Sequence, residues 1–211
     1  MEKATVYRAI SAPTALIAGA LAIGAAYLGY KLDPHHQDVS VWVQTLDFPL
    51  LWGAVLVIVA AANGLFLYSD SRRRGEKFIS SGMKMALFAL LPSHLTALVL
   101  SYIFVYRPAM LVSAWITLHG LGLLATSHFS PRSMIYLGWA FLIAGFTALF
   151  QVATQQTLPQ PYFFSLSVGS FSTPYIPFPI EVSPHLLMAI TFGGFHLIYA
   201  ACTWPRKSAT H

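Results

Sequence analysis

The sequence predicts an all-α integral membrane protein with six transmembrane helices. Of the 211 residues, 56% are hydrophobic and only 9% are charged, whereas a soluble domain carries about a quarter charged residues. The mean hydropathy is +0.64. The apolar residues also fall into six stretches of about 20 residues, the length that an α-helix needs to cross a bilayer. Lipid is therefore the expected solvent for much of the surface, and the bilayer is the first predicted partner.

Size and continuity predict a single transmembrane domain over residues 1–211. The predicted spans cover residues 10–30, 50–68, 84–106, 108–128, 133–152 and 184–204. The first span follows Lys3 and Arg8, and small residues at Ala25 and Ala26 could form a signal-peptide cleavage site. Its length exceeds the apolar region of a signal peptide, about 7–15 residues. We therefore expect the first span to be retained.

The basic residues predict the orientation of the chain. With the N-terminus in the cytoplasm, alternation of the spans leaves only Lys31 and Arg107 outside. The other basic residues then lie on the cytoplasmic side: Lys3, Arg8, Arg72, Arg73, Arg74, Lys77, Lys84, Arg132, Arg206 and Lys207. This asymmetry follows the positive-inside rule and predicts that both termini are cytoplasmic. We expect the protein in the plasma (inner) membrane.

The segment between the last two spans, residues 153–183, is expected on the extracytoplasmic side. It combines many prolines with aromatic residues such as Tyr162 and Phe171. That content is too apolar for a disordered linker and too rich in proline for a regular helix. Aromatic rings favour the membrane interface, so the segment is expected to lie there as an ordered cap. A lid over a cavity and a folded-back loop without a ligand are both compatible with it.

Small and polar residues mark several positions inside the spans. Ala18, Ala22 and Ala26 recur every four residues, which allows a neighbouring helix to approach closely. The second span contains Asn63, whose amide needs a partner in hydrocarbon. In the third span, Ser93 and Thr96 flank a histidine after a proline. Asn63, Ser93 and Thr96 are the predicted polar cavity residues.

Several function classes are disfavoured by what the sequence lacks. It contains no phosphate-binding loop, no dinucleotide fingerprint and no serine-hydrolase elbow. The acidic residues nearest the spans, Asp70 and Glu181, lie at span ends, which disfavours a carboxylate-driven proton transporter. The net charge of +5 comes from basic residues between spans, so no nucleic-acid partner is expected. A single cysteine, Cys202, rules out an internal disulfide.

Three histidines are predicted to share one depth in the membrane. His94 lies ten residues past Lys84, His119 nine residues before His128, and His196 eight residues before Trp204. At 1.5 Å per residue these separations correspond to about 15, 14 and 12 Å from one membrane face. The three rings can therefore meet if each helix turns its histidine inward.

Imidazoles in one layer suggest two kinds of cofactor. The rings of His94, His119 and His196 suit a zinc, copper or iron ion. Two of them on facing helices could instead hold a b-type haem. Glycines beside the histidines would leave room for its porphyrin: Gly120, Gly122, Gly193 and Gly194. His185 precedes His196 by eleven residues, three helical turns, and is a further candidate haem ligand or pathway residue.

Two other function classes stay open from the sequence. The same histidines, with Asn63, Ser93 and Thr96, could line a transport or small-ligand cavity. Alternatively each histidine is an interior residue hydrogen-bonded within the helix bundle. The protein would then be a structural subunit that assembles with another membrane protein or with itself.

Overall fold

The computed structural model describes residues 12–32, 41–75, 81–128, 130–157 and 183–204. Within these ranges the chain is helical and has no strands. The helices are α1 (Ala12–Leu32), α2 (Val41–Arg74), α3 (Ser81–Ile103), α4 (Pro108–Ala125), α5 (Arg132–Thr157) and α6 (Pro184–Thr203). All six are long and apolar enough to cross a membrane. The predicted all-α, multi-pass architecture is confirmed.

Two helices extend beyond their predicted spans. Helix α2 begins at Val41 and contains Pro49, and α5 continues to Thr157, inside the segment predicted as a loop. An α-helix satisfies its own backbone hydrogen bonds, so it can continue past the apolar stretch that marks the membrane. The rest of that segment, 158–182, lies outside the described residues, as do 1–11 and 205–211. The orientation of the termini stays a prediction.

The helices divide into inner and outer elements. Half of the membrane-spanning windows of α1 and α4 is buried, compared with 6% for α2 and α3. Helix α2 packs mainly on α1, and α3 packs on α4. Between these pairs, α6 contacts α1, α4 and α5, while α5 packs along α4. The order α2, α1, α6, α4, α3 therefore forms an arc, with α5 behind α4 and α6.

Small residues bring the inner helices close together. A Cβ atom on Gly19 would lie 2.7 Å from Leu197 Cγ and 2.9 Å from the Gly193 carbonyl, so α1 and α6 pack nearly backbone to backbone. A Cβ on Gly120 would lie 2.7 Å from the Leu142 backbone nitrogen, which ties α4 to α5. The alanine row of α1 is buried, as the four-residue spacing predicted. This close packing supplies dispersion contacts where lipid provides no hydrophobic drive.

Helix α6 is not α-helical throughout. Its middle segment, Ala189–Phe195, is a π-helix between α-helical turns at Pro184–Met188 and His196–Thr203. A π-turn accommodates one extra residue, and one residue corresponds to about 100° of rotation around an α-helix. Residues before and after the segment therefore face in different directions from those that a regular helix would give.

Candidate functional site

His94 is oriented by the turn of α3 that precedes it. Its Nδ1 lies 2.9 Å from the Leu90 carbonyl oxygen, which also accepts a 2.8 Å hydrogen bond from the Ser93 hydroxyl. A carbonyl oxygen can only accept, so Nδ1 carries the proton in this contact. In the neutral ring, Nε2 is then the nitrogen with a free lone pair.

His196 has the same arrangement on α6. Its Nδ1 lies 2.8 Å from the Phe192 carbonyl oxygen, one turn earlier in the π-helical segment. This nitrogen must donate as well, so Nε2 of the neutral ring is again the available acceptor. The π-segment and this hydrogen bond together set the direction in which the imidazole points.

His119 on α4 lies between the other two rings. Its centroid is 6.3 Å from that of His94 and 6.0 Å from that of His196. Its Nε2 is buried and, among the described residues, has no hydrogen-bond partner. Phe141 and Phe192 pack against the ring at centroid distances of 4.7 and 5.0 Å. We call His94, His119 and His196 the histidine cluster.

A glycine on α4 allows the cluster to form. A Cβ atom on Gly122 would lie 2.6 Å from the Ser93 hydroxyl oxygen and 3.7 Å from His94 Cε1. Any larger residue would therefore push α3 outward at the level of the cluster. Gly122 positions His94 beside His119 by letting the two helices approach.

The histidine cluster lies at one end of a cavity of about 570 Å³; His196 is buried there, whereas His94 is exposed. Most of its lining is apolar and comes from α1, α2, α3, α4 and α6. The residues include Ala18, Ala22, Leu56, Val59, Leu95, Leu98, Leu118, Met188 and Phe192. Polar side chains also line it: Trp52, Ser93, His94, Ser101, Trp115, His119 and His196.

The cavity is elongated along the helices. Ser101 lies seven residues beyond His94 on α3, and Met188 lies eight residues before His196 on α6. These separations correspond to about 10–12 Å at 1.5 Å per residue. The cavity therefore runs from the histidine cluster toward the membrane face that carries the α3–α4 turn.

The lateral opening of the cavity lies between α2 and α3, the two ends of the arc. Leu56 of α2 and Leu98 of α3 both line the cavity, yet their side chains remain 58% and 69% exposed. In a bilayer this rim faces the acyl chains.

His185, predicted as a further ligand, lies elsewhere. It contacts Phe48 at a centroid distance of 4.9 Å and accepts a 3.4 Å hydrogen bond from Trp52 Nε1 at its Nδ1. Trp115 stacks on the other side of Phe48 at 6.1 Å. We call Phe48, Trp52, Trp115 and His185 the aromatic layer. The π-segment of α6 rotates His185 away from the face of His196, which a regular helix would have preserved.

The predicted polar residues do not all reach the cavity. Ser93 lines it, whereas Thr96 and Asn63 lie outside its lining. Thr96 is exposed, and its hydroxyl donates to the Pro92 carbonyl at 2.8 Å. Asn63 is half-buried on α2. Residue counts predicted that Asn63 and Thr96 lie at a depth in the membrane similar to that of the cluster. Depth, however, does not determine the direction in which a side chain points from its helix.

Sequence analysis did not predict three residues that line the cavity, Trp52, Ser101 and Trp115. Trp52 and Trp115 line the end of the cavity opposite the cluster, and the Trp115 indole donates to the Ser101 hydroxyl at 2.8 Å. Serine and tryptophan are common in membrane helices, so neither residue type distinguishes these positions. The one signal for Ser101 and Trp115 was a location one to two turns from a histidine, and Trp52 had none, since α2 contains no histidine.

The glycines predicted to make room for a haem serve helix packing instead. Gly120 contacts α5, Gly122 contacts Ser93, and Gly193 contacts Ile23 of α1; only Gly194 has open space around it. Phe192 and Phe141 also lie within about 6 Å of both His119 and His196. They occupy the space that a porphyrin would need between these two rings. The residues present do not fit a haem there.

The metal hypothesis is constrained by donor geometry. Within the part of the chain that the structure describes, no three His, Cys, Asp or Glu side chains are placed to hold a metal ion. Two imidazoles on one tetrahedral ion would have centroids about 5 Å apart, less than the 6.0 and 6.3 Å seen here. Metal binding would need the rings to move closer together.

Comparison with protein-family models, with curated proteins and with solved structures gives no match. The cavity and its histidine cluster are therefore the features of this chain that bear on its function.

Proposed function

We propose that this multi-pass membrane protein binds a small, mainly apolar molecule in the cavity between α2 and α3. The observation that carries the proposal is an apolar cavity of about 570 Å³ that ends on three imidazoles. Ligand sites are typically 300–1,000 Å³ and combine an apolar wall with a few convergent polar groups. The imidazoles would hold the polar end of the ligand, and the apolar wall would surround the rest.

The buried Nε2 of His119 supports this function. A polar atom left without a partner in an apolar environment costs about 1–3 kcal/mol. Such atoms are uncommon in native proteins and call for an explanation. This Nε2 is fully buried, so a bound molecule would supply the missing partner and recover this free energy once the His119 ring turned it toward the cavity.

The lateral opening supports uptake from the bilayer. The rim residues Leu56 and Leu98 are apolar and exposed, and α2 and α3 each pack mainly on a different neighbour. Small separations of these outer helices would widen the entrance without disturbing the inner helices. Binding and transport of a lipid-soluble molecule are both served by this arrangement.

A cavity-filling variant tests the proposal. A Cβ atom on Gly53 meets no heavy atom within 4 Å, and Gly53 lines the cavity, so Gly53→Phe would fill it without a backbone clash. Gly64→Phe is the matched control, because Gly64 is equally open on the same helix and lies outside the lining. We expect saturable binding of tritiated para-nonylphenol to the detergent-purified protein, measured by scintillation proximity. Binding should be lost in Gly53→Phe and kept in Gly64→Phe.

Two results would contradict the proposal. One is the absence of saturable binding by this phenol and by its methyl ether. The other is unchanged binding in Gly53→Phe, which would place any bound probe outside the cavity.

A transition-metal ion is the second candidate ligand. The observation in its favour is that His94 and His196 both anchor Nδ1 on a backbone carbonyl, the arrangement that orients metal-binding imidazoles through their outer hydrogen bonds. Elemental analysis of the purified protein tests it. If the ligand is a metal, a stoichiometric metal should be lost in His94→Ala, His119→Ala and His196→Ala and should persist in His128→Ala, a histidine in the turn after α4. A metal-free protein would remove this candidate.

A further inference from the structure

Along the cavity wall, the side chains offer a ligand fewer free hydrogen-bond donors than free acceptors. The Ser93 hydroxyl and His94 Nδ1 both donate to the Leu90 carbonyl. His196 Nδ1 donates to the Phe192 carbonyl. The hydrogen-bond donors of these three side chains, at the end of the cavity that carries the histidine cluster, are therefore already used.

The polar groups at the other end of the cavity are also satisfied. Ser101 donates its hydroxyl proton to the Ala97 carbonyl at 2.7 Å and accepts from Trp115 Nε1 at 2.8 Å. The Trp52 indole donates to His185. Among the lining side chains, only His119 has an N–H to offer a ligand.

Hydrogen-bond acceptors remain available, by contrast, at the end of the cavity that carries the histidine cluster. In neutral rings, His94 and His196 each present a lone pair on Nε2, and the Ser93 oxygen keeps one as well. His119 adds one ring nitrogen of either kind. A ligand group that meets this end of the cavity therefore finds more acceptors than donors.

A hydroxyl complements this imbalance, and an ether does not. An O–H group can donate to an imidazole nitrogen and still accept from His119. An ether oxygen can only accept, so it would desolvate the histidine lone pairs without replacing their hydrogen bonds. Sites built around a hydroxyl reject analogues that lack it for this reason.

We infer that the cavity selects a lipid-soluble molecule with a hydroxyl head, and that this hydroxyl donates to Nε2 of His94 or of His196. The inference rests on the proposed binding function and specifies the head group of its ligand. The apolar wall, about 10–12 Å long by the rise of the helix, takes a ring or alkyl chain that extends from the hydroxyl toward Trp52 and Trp115.

A matched pair of probes tests the head group. Unlabelled para-nonylphenol and para-nonylanisole differ only by methylation of the hydroxyl, so their apolar parts are the same. Each displaces tritiated para-nonylphenol from the detergent-purified protein. We expect the phenol to bind about tenfold to a hundredfold more tightly, the effect of one hydrogen bond left unmade in a buried site. An aliphatic pair, dodecanol and its methyl ether, shows whether the ring is required in addition to the hydroxyl.

Variants identify the acceptors. His94→Phe and His196→Phe each remove one Nε2 acceptor, and the variant that loses the acceptor used by the hydroxyl should bring the phenol-to-ether affinity ratio down toward one. His128→Ala removes a histidine outside the cavity and should leave the ratio unchanged. The ratio is measured first on the unaltered protein, so the preference for a hydroxyl is tested independently of how the variants fold.

The outcomes separate the two proposals. Equal affinities, tighter binding of the ether, or a ratio that persists in both phenylalanine variants would overturn the hydroxyl inference while leaving a binding cavity. Absence of saturable binding by both probes would overturn the binding function itself. A stoichiometric metal on the cluster would also overturn the inference, because the metal would occupy the Nε2 lone pairs.

Discussion

The histidine cluster and the aromatic layer differ in how completely their polar groups are satisfied. In the aromatic layer, His185 accepts from the Trp52 indole and packs against Phe48. In the histidine cluster, by contrast, His119 has a buried Nε2 with no partner among the described residues. The two regions lie at opposite ends of one cavity. Packing explains a satisfied histidine, whereas an unsatisfied one needs a further explanation, for which we propose a ligand.

The largest expected effect concerns the stability that the aromatic layer provides. Trp52 is only 3% exposed, and Trp52→Ala would remove its packing and its hydrogen bond to His185. We expect the free energy of unfolding to fall by about 3 kcal/mol, the lower end of the range for aromatic truncations, since lipid gives less hydrophobic drive than water. Reversible unfolding in mixed SDS micelles measures the change. Trp139, 52% exposed, supplies the control Trp139→Ala, expected within about 0.5 kcal/mol of the parent.

The approach of α3 to α4 should be the next most sensitive feature. Gly122→Ala places a methyl group against the Ser93 hydroxyl, so α3 must shift by a fraction of an ångström or more. We expect a loss of about 1–2 kcal/mol in unfolding free energy and a several-fold weaker affinity for para-nonylphenol. Gly64→Ala, where the added methyl group meets no neighbour within 4 Å, serves as the control. Unchanged probe affinity in Gly122→Ala would show that the position of His94 does not matter for binding.

Two substitutions to phenylalanine compare the regions directly. His185→Phe leaves the Trp52 indole without its acceptor and should lower the unfolding free energy by about 1 kcal/mol. His119→Phe removes a polar atom that has no partner and should leave stability unchanged or raise it by up to about 1 kcal/mol. The same mixed-micelle unfolding measurement applies to both. Equal destabilisation by the two changes would mean that His119 is as well satisfied as His185, contrary to the comparison.

The smallest effect is expected at Thr96. Its hydroxyl donates to its own helix and lies outside the cavity lining, so Thr96→Val should change probe affinity by less than about twofold. Ser93→Ala, one turn away and inside the lining, should weaken phenol binding several-fold. Displacement of tritiated para-nonylphenol measures both variants. A larger effect at Thr96 than at Ser93 would mean that the probe contacts the face of α3 that carries Thr96 and not the face that lines the cavity.

Much of the fold follows from local properties of the chain. Composition and six apolar stretches predicted the number and type of the helices, because only a helix or a closed barrel satisfies its backbone in lipid. Helix ends were less predictable, since α2 and α5 continue past their apolar stretches. The shared depth of His94, His119 and His196 in the membrane could also be predicted from the sequence, because the rise per residue of a helix is constant.

Tertiary structure decided which groups meet. The arc that leaves a gap between α2 and α3, and the contact of Gly122 with Ser93, depend on packing between residues distant in sequence. The π-segment of α6 separated His185 from His196, and no local pattern of residues marked it. Sequence alone determined that lipid is the solvent and that three histidines share a layer. Packing between helices set the direction in which each side chain points from its helix axis. Those directions decided which side chains line the cavity.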